Sequence, residues 1–240
     1  GTKAGGPNYL YGLGAWEDAP VRGEELPLSP LVSQLHRAAV ATVTAGGSTS
    51  EADHTWLRTA FSSDAAALAS EFGVTHDESG LQAERNILRY LPHDHVLMRL
   101  TADASTSHVL RALGAALAAK AMPLVSSEAE LPDAVRATLQ AAKVLVVVES
   151  RDSWQKRIAS VAAVEGPAAG CRVRLVAGAS REAALADIYE ASGGKPDIAV
   201  YGHPPVSAGR VEMLPFLREQ AVSLTAHRFG TPYKFSENVI

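Results

Sequence analysis

Apolar and polar positions along this 240-residue chain alternate with two periods, and the switches between them mark its elements. Two short apolar runs, residues 87–91 and 96–100, have strand length and are separated by the turn-like Pro92-His93-Asp94. Ser105 or Thr106 then caps a helix in which Leu110, Leu113 and Leu117 recur at three- and four-residue steps. A third apolar run, 122–125, follows, and Pro132 opens another helix. Strand, helix, strand, helix at this spacing is a parallel βαβ unit with the usual right-handed crossover. The fold class expected is therefore α/β, a Rossmann-like doubly wound parallel sheet.

The rest of the pattern extends this layer in both directions. Residues 1–14 are rich in glycine and aromatics, and 16–30 contain Pro20, Pro27 and Pro30 in a Glu-rich linker. Gly12-Leu13-Gly14 follows no strand and lacks a third glycine, so it is not read as a nucleotide loop. Residues 31–43 and 51–72 are helical by pattern. The second helix starts at Ser50 or Ser48 and puts Trp56, Leu57, Phe61, Ala65 and Leu68 on one face. Trp56 and Phe61 read as core packing rather than ligand contacts. Residues 75–80 are a polar turn. After Pro132 the pattern gives a helix over 133–143, then 144–148, a continuous β run expected to be covered on both faces. It continues with a helix over 152–164, a strand over 172–176, a helix over 181–191 and a short strand over 197–201. These strands with their helices make one compact domain. The last thirty residues change character: 213–220 suggest a short helix, and 221–226 are β-prone. Residues 222–229 read as an interaction element, since an exposed strand seeks a partner edge.

Composition narrows the function classes. Charged residues at 20% and apolar residues at 47% suit a soluble globular domain. A formal net charge of −4 gives no reason to expect nucleic acid or anionic membrane partners. One cysteine, Cys171, rules out an internal disulfide framework and fits a reducing cytoplasmic setting. No run of about 18 apolar residues is present, so no membrane span is expected. His93-x-His95 would place two imidazoles on one strand face, but nothing nearby is spaced to complete a metal site. His203, His227 and Arg228 read as surface contacts, and no G-x-S-x-G, P-loop or H-E-x-x-H pattern occurs.

Residues 84–132 also carry a resemblance, in ERNILRYLP, the Ala-rich helix and the strand after it. They resemble the start of the NAD-binding domain of aldehyde dehydrogenases, in the L-glutamate γ-semialdehyde (1-pyrroline-5-carboxylate) dehydrogenase branch. The first residues, GTKAGGPNYL, resemble a segment at the end of the catalytic domain in the same family. The end of one such domain followed by the start of a second is similar to the C-terminal part of proline utilization A proteins. The resemblance implies a parent that oxidises proline to glutamate, with FAD and NAD held in upstream domains. It implies a chain divided into 1–14, the end of the catalytic domain; 15–30, a linker; 31–212, a cryptic aldehyde dehydrogenase-like domain with leading helices; and 213–240, a terminal helix and β-flap. A chain that lacks an initiator Met and begins inside a family motif is expected to be a fragment.

The family's chemistry needs a thiolate nucleophile, oxyanion donors, a Glu base and NAD to accept the hydride. At or next to the family's oxyanion asparagine stands Asp103, whose carboxylate cannot donate. The family's ribose-binding Lys and Glu fall on Ser126 and Ala129, with Glu128 one residue away. Glu149-Ser150-Arg151 replaces the turn near the pyrophosphate, with Arg151 as the compensating charge for Glu149. Val176-Ala177-Gly178-Ala179 stands where the base is carried, without a carboxylate, and Cys171 lacks the nucleophile's context. Lys3 matches a family motif, but the loop gripping the substrate lies upstream of it. No catalytic, cofactor-binding or metal residue is therefore assigned, and no cofactor is expected in this chain. The expected role is non-catalytic: docking on the catalytic domain of the same protein, helping close the cavity through which the intermediate passes, and homo-oligomer contacts through the flap. The alternative is a residual nucleotide-binding regulatory domain, with an anion site where the Asp152 or Ser105 helix begins.

Overall fold

The apolar runs of the sequence become a parallel layer in the computed structural model, which describes residues 6, 9, 13, 14, 26–44, 49–81, 84–166, 169–225, 227, 228, 231 and 232. The segment resembling a catalytic-domain terminus, the linker and the last eight residues lie largely or wholly outside the described residues. Two helices lead. Helix α1, Pro30–Thr44, starts with proline at its first position, where a missing N–H is harmless, behind Ser29. Helix α2, Glu51–Ala67, starts with a capping box: the Asp53 N–H donates to Ser50 Oγ and the Ser50 N–H to Asp53 Oδ2. It ends in a π-helical turn, Leu68–Phe72, rather than continuing as one α-helix to residue 72. Gly73 closes that turn, where a Cβ would come within 2.6 Å of the Leu68 carbonyl oxygen. The widened turn directs Phe72 onto Tyr90, with ring centroids 4.8 Å apart in an edge-to-face pair.

Strand β1, Glu84–Pro92, is followed by β2, Val96–Leu100, helix α3, Thr106–Ala118, and β3, Leu124–Ser127. Then come α4, Asp133–Ala141, β4, Val146–Val148, α5, Arg151–Ala162, β5, Cys171–Val176, α6, Arg181–Ser192, and β6, Ile198–Tyr201. The last elements are α7, Gly209–Glu212, a 3-10 turn, Leu214–Phe216, and strands β7, Leu217–Thr225, β8, His227–Arg228, and β9, Thr231–Pro232. Strands β4-β3-β2-β5-β6 form one five-stranded sheet, parallel at every pairing. The winding reverses between β2 and β5, as in a Rossmann-like doubly wound layer. Among the described residues no helix is long and apolar enough to cross a membrane.

Helix α3 is buried along almost its whole length, because it lies under α1 and α2 on one face of the sheet. Gly114 permits the crossing: a Cβ there would meet the Phe61 ring at 2.1 Å. Phe61 is 1% exposed, and Trp56 packs at the rim against the His108 ring, so both aromatics are packing residues. The other face of the sheet has a smaller core of Trp154, Ile158, Val173, Leu175, Ile188 and Ile198 under α5 and α6.

Three expectations are corrected. The buried face of α2 is Leu57, Ala60, Phe61, Asp64 and Ala67, with Asp64 in the core rather than Ala65. The run 144–148 is not covered on both faces: β4 is an edge strand, and Leu145 and Val148 are 61% and 46% exposed. Its start is consumed by the end of α4, where the Val144 N–H bonds back to the Leu139 carbonyl and Lys143 takes a left-handed φ of 59°. Finally, 217–220 are strand rather than helix. Strand β7 pairs antiparallel with β1 from Leu217↔Pro92 to Thr225↔Glu84, and the cross-strand pairing overrides the local helical pattern.

The terminal segment is joined to the sheet by buried charges. Arg111 on α3 forms a two-pronged ion pair with Asp64 on α2, at 2.7 and 2.8 Å, with both side chains almost fully enclosed. Its Nε donates to the Val206 carbonyl at 2.8 Å. Arg174 on β5 pairs with Glu212 at 2.8 Å and donates to the Tyr201 and His203 carbonyls. Glu212 Oε2 accepts the Val206 N–H at 3.1 Å. Full burial pushes the Asp64 carboxyl up to about 6 against the pull of Arg111, with the nearby Glu212 charge adding to the rise. Asp64→Ala leaves Arg111 charged and unpaired in the core, and is expected to reduce unfolding free energy by about 3–5 kcal/mol in urea titrations. Replacing Asp64 and Arg111 together by Leu and Met is expected to recover part of that loss.

Candidate functional site

In an open parallel sheet the ligand crevice lies beyond the carboxyl ends of the strands, where the winding reverses. Here that place is between the loops that follow β2 and β5. The Thr101 N–H still bonds to the Val176 carbonyl at 3.1 Å, and beyond this point the two loops would part. They do not, because Asp103 spans them. Its carboxylate accepts from Thr101 Oγ1 at 2.6 Å, Gly178 N at 3.3 Å, Ser180 N at 2.7 Å and Ser180 Oγ at 2.7 Å. The hydroxyls of Thr101 and Ser180, with the Ser180 N–H, hold this carboxyl far below the usual carboxylate range. Gly178 allows the contact, since a Cβ there would fall 2.3 Å from the Asp103 carbonyl oxygen.

Next to this crevice, Arg99 of β2 is 1% exposed under α5. It donates to Ser126 Oγ at 2.7 Å and to Glu128 Oε1 at 2.5 Å, and its guanidinium lies 5.3 Å from the Trp154 ring centroid. Burial lowers the pKa of Arg99 and the Glu128 charge opposes that. Glu128 also accepts the Ala102 N–H through Oε2 at 2.9 Å. At the next strand end Glu149 takes both prongs of Arg157, at 2.9 and 2.8 Å, which lower its pKa. Arg151 holds Asp187 with two bonds of 2.5 and 2.6 Å and lowers its pKa in the same way. The starts of α3 and α5 are capped by their own side chains, with Ser105 accepting from His108 N and Ser150 from Ser153 N.

This arrangement differs from the sequence reading at several residues. Arg151 does not offset Glu149; it pairs with Asp187 on α6, while Arg157, one helical face further along α5, neutralises Glu149. Ser126 is wholly buried, and the positive charge beside it comes from Arg99 on the neighbouring strand. Ala129 is exposed and contributes its carbonyl to Ser127 Oγ. The loop after β5 has no carboxylate of its own, as its sequence requires, but that of Asp103 reaches it. The missed residues are Arg99, Arg157 and Asp187. The only sequence signal was an arginine inside the apolar strand VLMRL.

The remaining candidates lie elsewhere. Cys171 opens β5, at the opposite end of the sheet from the crevice, and burial pushes its thiol up to about 11. His93 and His95 sit in the turn between β1 and β2 rather than on a strand face, and the His95 N–H donates to His93 Nδ1 at 3.1 Å. Among the described residues no group of three or more His, Cys, Asp or Glu is placed to hold a metal. His203 follows β6, its pKa lowered by burial and by Arg174. Only the backbone of His227 and Arg228 is described, in the β8–β9 hairpin, and Lys3 and Gly12 lie outside the described residues. A half-open concavity of about 720 Å³ lies on the β1 side, lined by Glu71, His76, Leu88, Tyr90 and Arg210, with Glu71 and Arg210 bonded to each other.

No family model and no curated protein matches the chain. Solved structures do. The structure of proline utilization A (PutA) from Corynebacterium freiburgense superposes with a TM-score of 0.58 at 27% identity, over 95% of this chain and 18% of that one. A second structure, proline utilization A with proline bound in remote sites, gives a TM-score of 0.51 at 18% identity, over 71% of this chain and 19% of that one. The chain thus has the Rossmann-like fold of the aldehyde dehydrogenase superfamily in its PutA-like form, and spans about a fifth of the length of those proteins.

Two outcomes follow from the thiol and the histidine. Cys171 is expected to stay unreacted with Ellman's reagent in the folded chain and to titrate fully once urea unfolds it; fast labelling without urea would contradict its enclosure. Burial, then the Arg172 charge, pulls His93 from an ordinary 6.5 to about 4. The folded state therefore resists a proton that the unfolded chain accepts. The resulting stability is complete above pH 6.5 and is lost as pH falls toward 4. Urea midpoints of His93→Gln should decline less than those of the unaltered chain between pH 7 and 4.5.

Proposed function

We propose that this chain is a non-catalytic aldehyde dehydrogenase-like domain at the C-terminal end of a proline-catabolic enzyme. The parent would oxidise proline to glutamate through L-glutamate γ-semialdehyde in the cytoplasm, with FAD and NAD bound by its upstream domains. The domain's part is to dock beside the catalytic aldehyde dehydrogenase domain, help enclose the cavity through which the intermediate passes, and support subunit contacts through the strands of its terminal segment. The PutA likeness over 95% of the chain supports the parent's identity. The observation that supports the non-catalytic role is the state of Asp103, which the resemblance puts at or next to the oxyanion asparagine: both of its carboxylate oxygens are already bonded. The sole thiol is at the far end of the sheet, with its pKa raised. An oxyanion cannot be stabilised by an acceptor, and a thiol held mostly protonated is a poor nucleophile.

A second reading, a residual nucleotide-binding regulatory domain, draws on Glu128 and Arg99 near the place a ribose would take. It is disfavoured because these two groups bond to each other. Calorimetric titration of NAD separates the two, with the intact parent as positive control. No heat is expected from the domain alone. Saturable heat would favour the regulatory reading. Deleting residues 31–240 from the parent is expected to slow proline-to-glutamate turnover and introduce a lag, while leaving oxidation of added semialdehyde less affected. Unchanged coupled turnover would sink the docking role.

A further inference from the structure

The half-open concavity on the β1 side, about 720 Å³, is in the size range of small-molecule pockets. Its floor is the face of β1 that carries Leu88 and Tyr90, and its walls are the π-helical turn, residues 76–79 and α7. The π-helical turn sets its chemistry. The Gly73 N–H reaches the Leu68 carbonyl five residues back at 2.8 Å, a bond that glycine permits. The Glu71 carbonyl in that turn accepts from His76 Nε2 at 3.0 Å, and His76 bonds to Leu88 of β1 through its own N–H and carbonyl, at 2.9 and 2.8 Å. Main-chain bonds thus fix the bearing of Glu71, whose carboxylate enters the concavity. Arg210 reaches that carboxylate from α7 with Nε and, at 3.1 Å, with Nη2.

The Arg210 side chain is 51% exposed and that of Glu71 17%. An ion pair open to water on one side contributes little to stability, whereas the pair of Glu128 with the enclosed Arg99 cannot be opened without burying a charge alone. Glu71 and Arg210 can therefore exchange each other for the charges of a ligand. A ligand with a single charge would satisfy one of them and strand the other. A zwitterion satisfies both, its ammonium replacing Arg210 at Glu71 and its carboxylate replacing Glu71 at Arg210, with the net charge of the site unchanged. The exposed Glu78 carboxylate at the rim opposes any further negative charge. Leu88 and Tyr90 supply the apolar surface. We propose that this concavity is a binding site for a small aliphatic α-amino acid, held as a zwitterion between Glu71 and Arg210 with its side chain toward Leu88 and Tyr90. The site goes beyond the docking role and does not depend on it.

Leucine, isoamylamine and isocaproate share one carbon skeleton and carry both charges, the ammonium alone and the carboxylate alone. In calorimetric titrations of the chain at neutral pH, leucine is expected to bind saturably and about tenfold or more tightly than either analogue, each of which lacks one charge contact. Glutamate, with its extra carboxylate, should bind more weakly than leucine. Replacing the pair by Glu71→Gln with Arg210→Gln removes both charges and keeps the main-chain bonds of the turn. With its far-UV circular dichroism unchanged, this variant should bind leucine about tenfold or more weakly than the unaltered chain. Leucine that binds no better than isoamylamine or isocaproate would overturn the site, as would undiminished binding by the folded variant or no saturable binding at millimolar leucine. Should the variant fail to fold, the comparison of the three ligands on the unaltered chain decides alone. These titrations use the chain by itself, so their failure leaves the docking role standing. Unchanged coupled turnover in the deletion experiment likewise leaves the site standing.

Discussion

The backbone N–H and carbonyl of Val206 sit between two buried ion pairs, and the architecture depends on that junction. Its carbonyl accepts from Arg111, which is held by Asp64, and its N–H donates to Glu212, which is held by Arg174. The four side chains come from α2, α3, β5 and α7, so the backbone of one residue ties α2, α3 and β5 to the segment after β6. Enclosing charges this completely is opposed by desolvation, which the close ion pairs and the bonds to backbone groups offset. The pairs therefore act as a specification: the terminal segment fits at this register, and a slip of one residue would bury arginines without acceptors. Gly209 tightens the same fit, its N–H donating to Ser63 Oγ where a Cβ would fall 2.6 Å from the Ser63 carbonyl oxygen.

Arg172 extends the junction toward the ribbon. It lies two residues before Arg174 on β5 and faces the same side, away from the core under α5 and α6. Its Nη1 donates to the Leu214 carbonyl at 2.7 Å and also to that of Leu217, the first residue of β7. Strand β7 then runs along β1, where Arg89 and Gln220 bond across the pair at 2.7 Å. The antiparallel ribbon is thus fixed at its base by an arginine of the parallel sheet, and at its side by the Phe72–Tyr90 ring pair from the π-helical turn.

The parts of this fold legible in the sequence are those where local pattern and tertiary environment agree. The βαβ unit through β2, α3 and β3 was readable from apolar runs and the Ser105 cap, because burial there follows apolarity. The charged core was not. Asp64 and Arg111 are 47 residues apart, and Arg174 and Glu212 are 38 apart; each alone reads as a solvated charge. The strand CRVRLV held a hint, since in a strand covered on both faces the arginines must be buried as well. Residues 217–220 were misread because their strand partner is about 130 residues earlier, which no window along the chain can show. At the crevice, the sequence indicated that Asp103 could not donate to an oxyanion. It could not indicate that Asp103 would be fully bonded, because Gly178 and Ser180 approach it only in the folded sheet.

A sheet edge that binds a dinucleotide keeps donors free for phosphate and ribose, and such donors become buried orphans when protein covers them. The edge of this chain has the opposite character. Asp103 is bonded across the loops, Glu128 to Arg99, Glu149 to Arg157, and Asp187 to Arg151, while Ser105 and Ser150 cap their own helices. A surface whose charges are paired in this way leaves few polar groups without a partner when another protein surface covers it. The pairings that leave this edge without free donors are thus the same ones that would suit the contact with protein proposed for it. Asp103 is its clearest case, an exposed carboxylate whose two oxygens both accept from neighbouring hydroxyl and N–H groups.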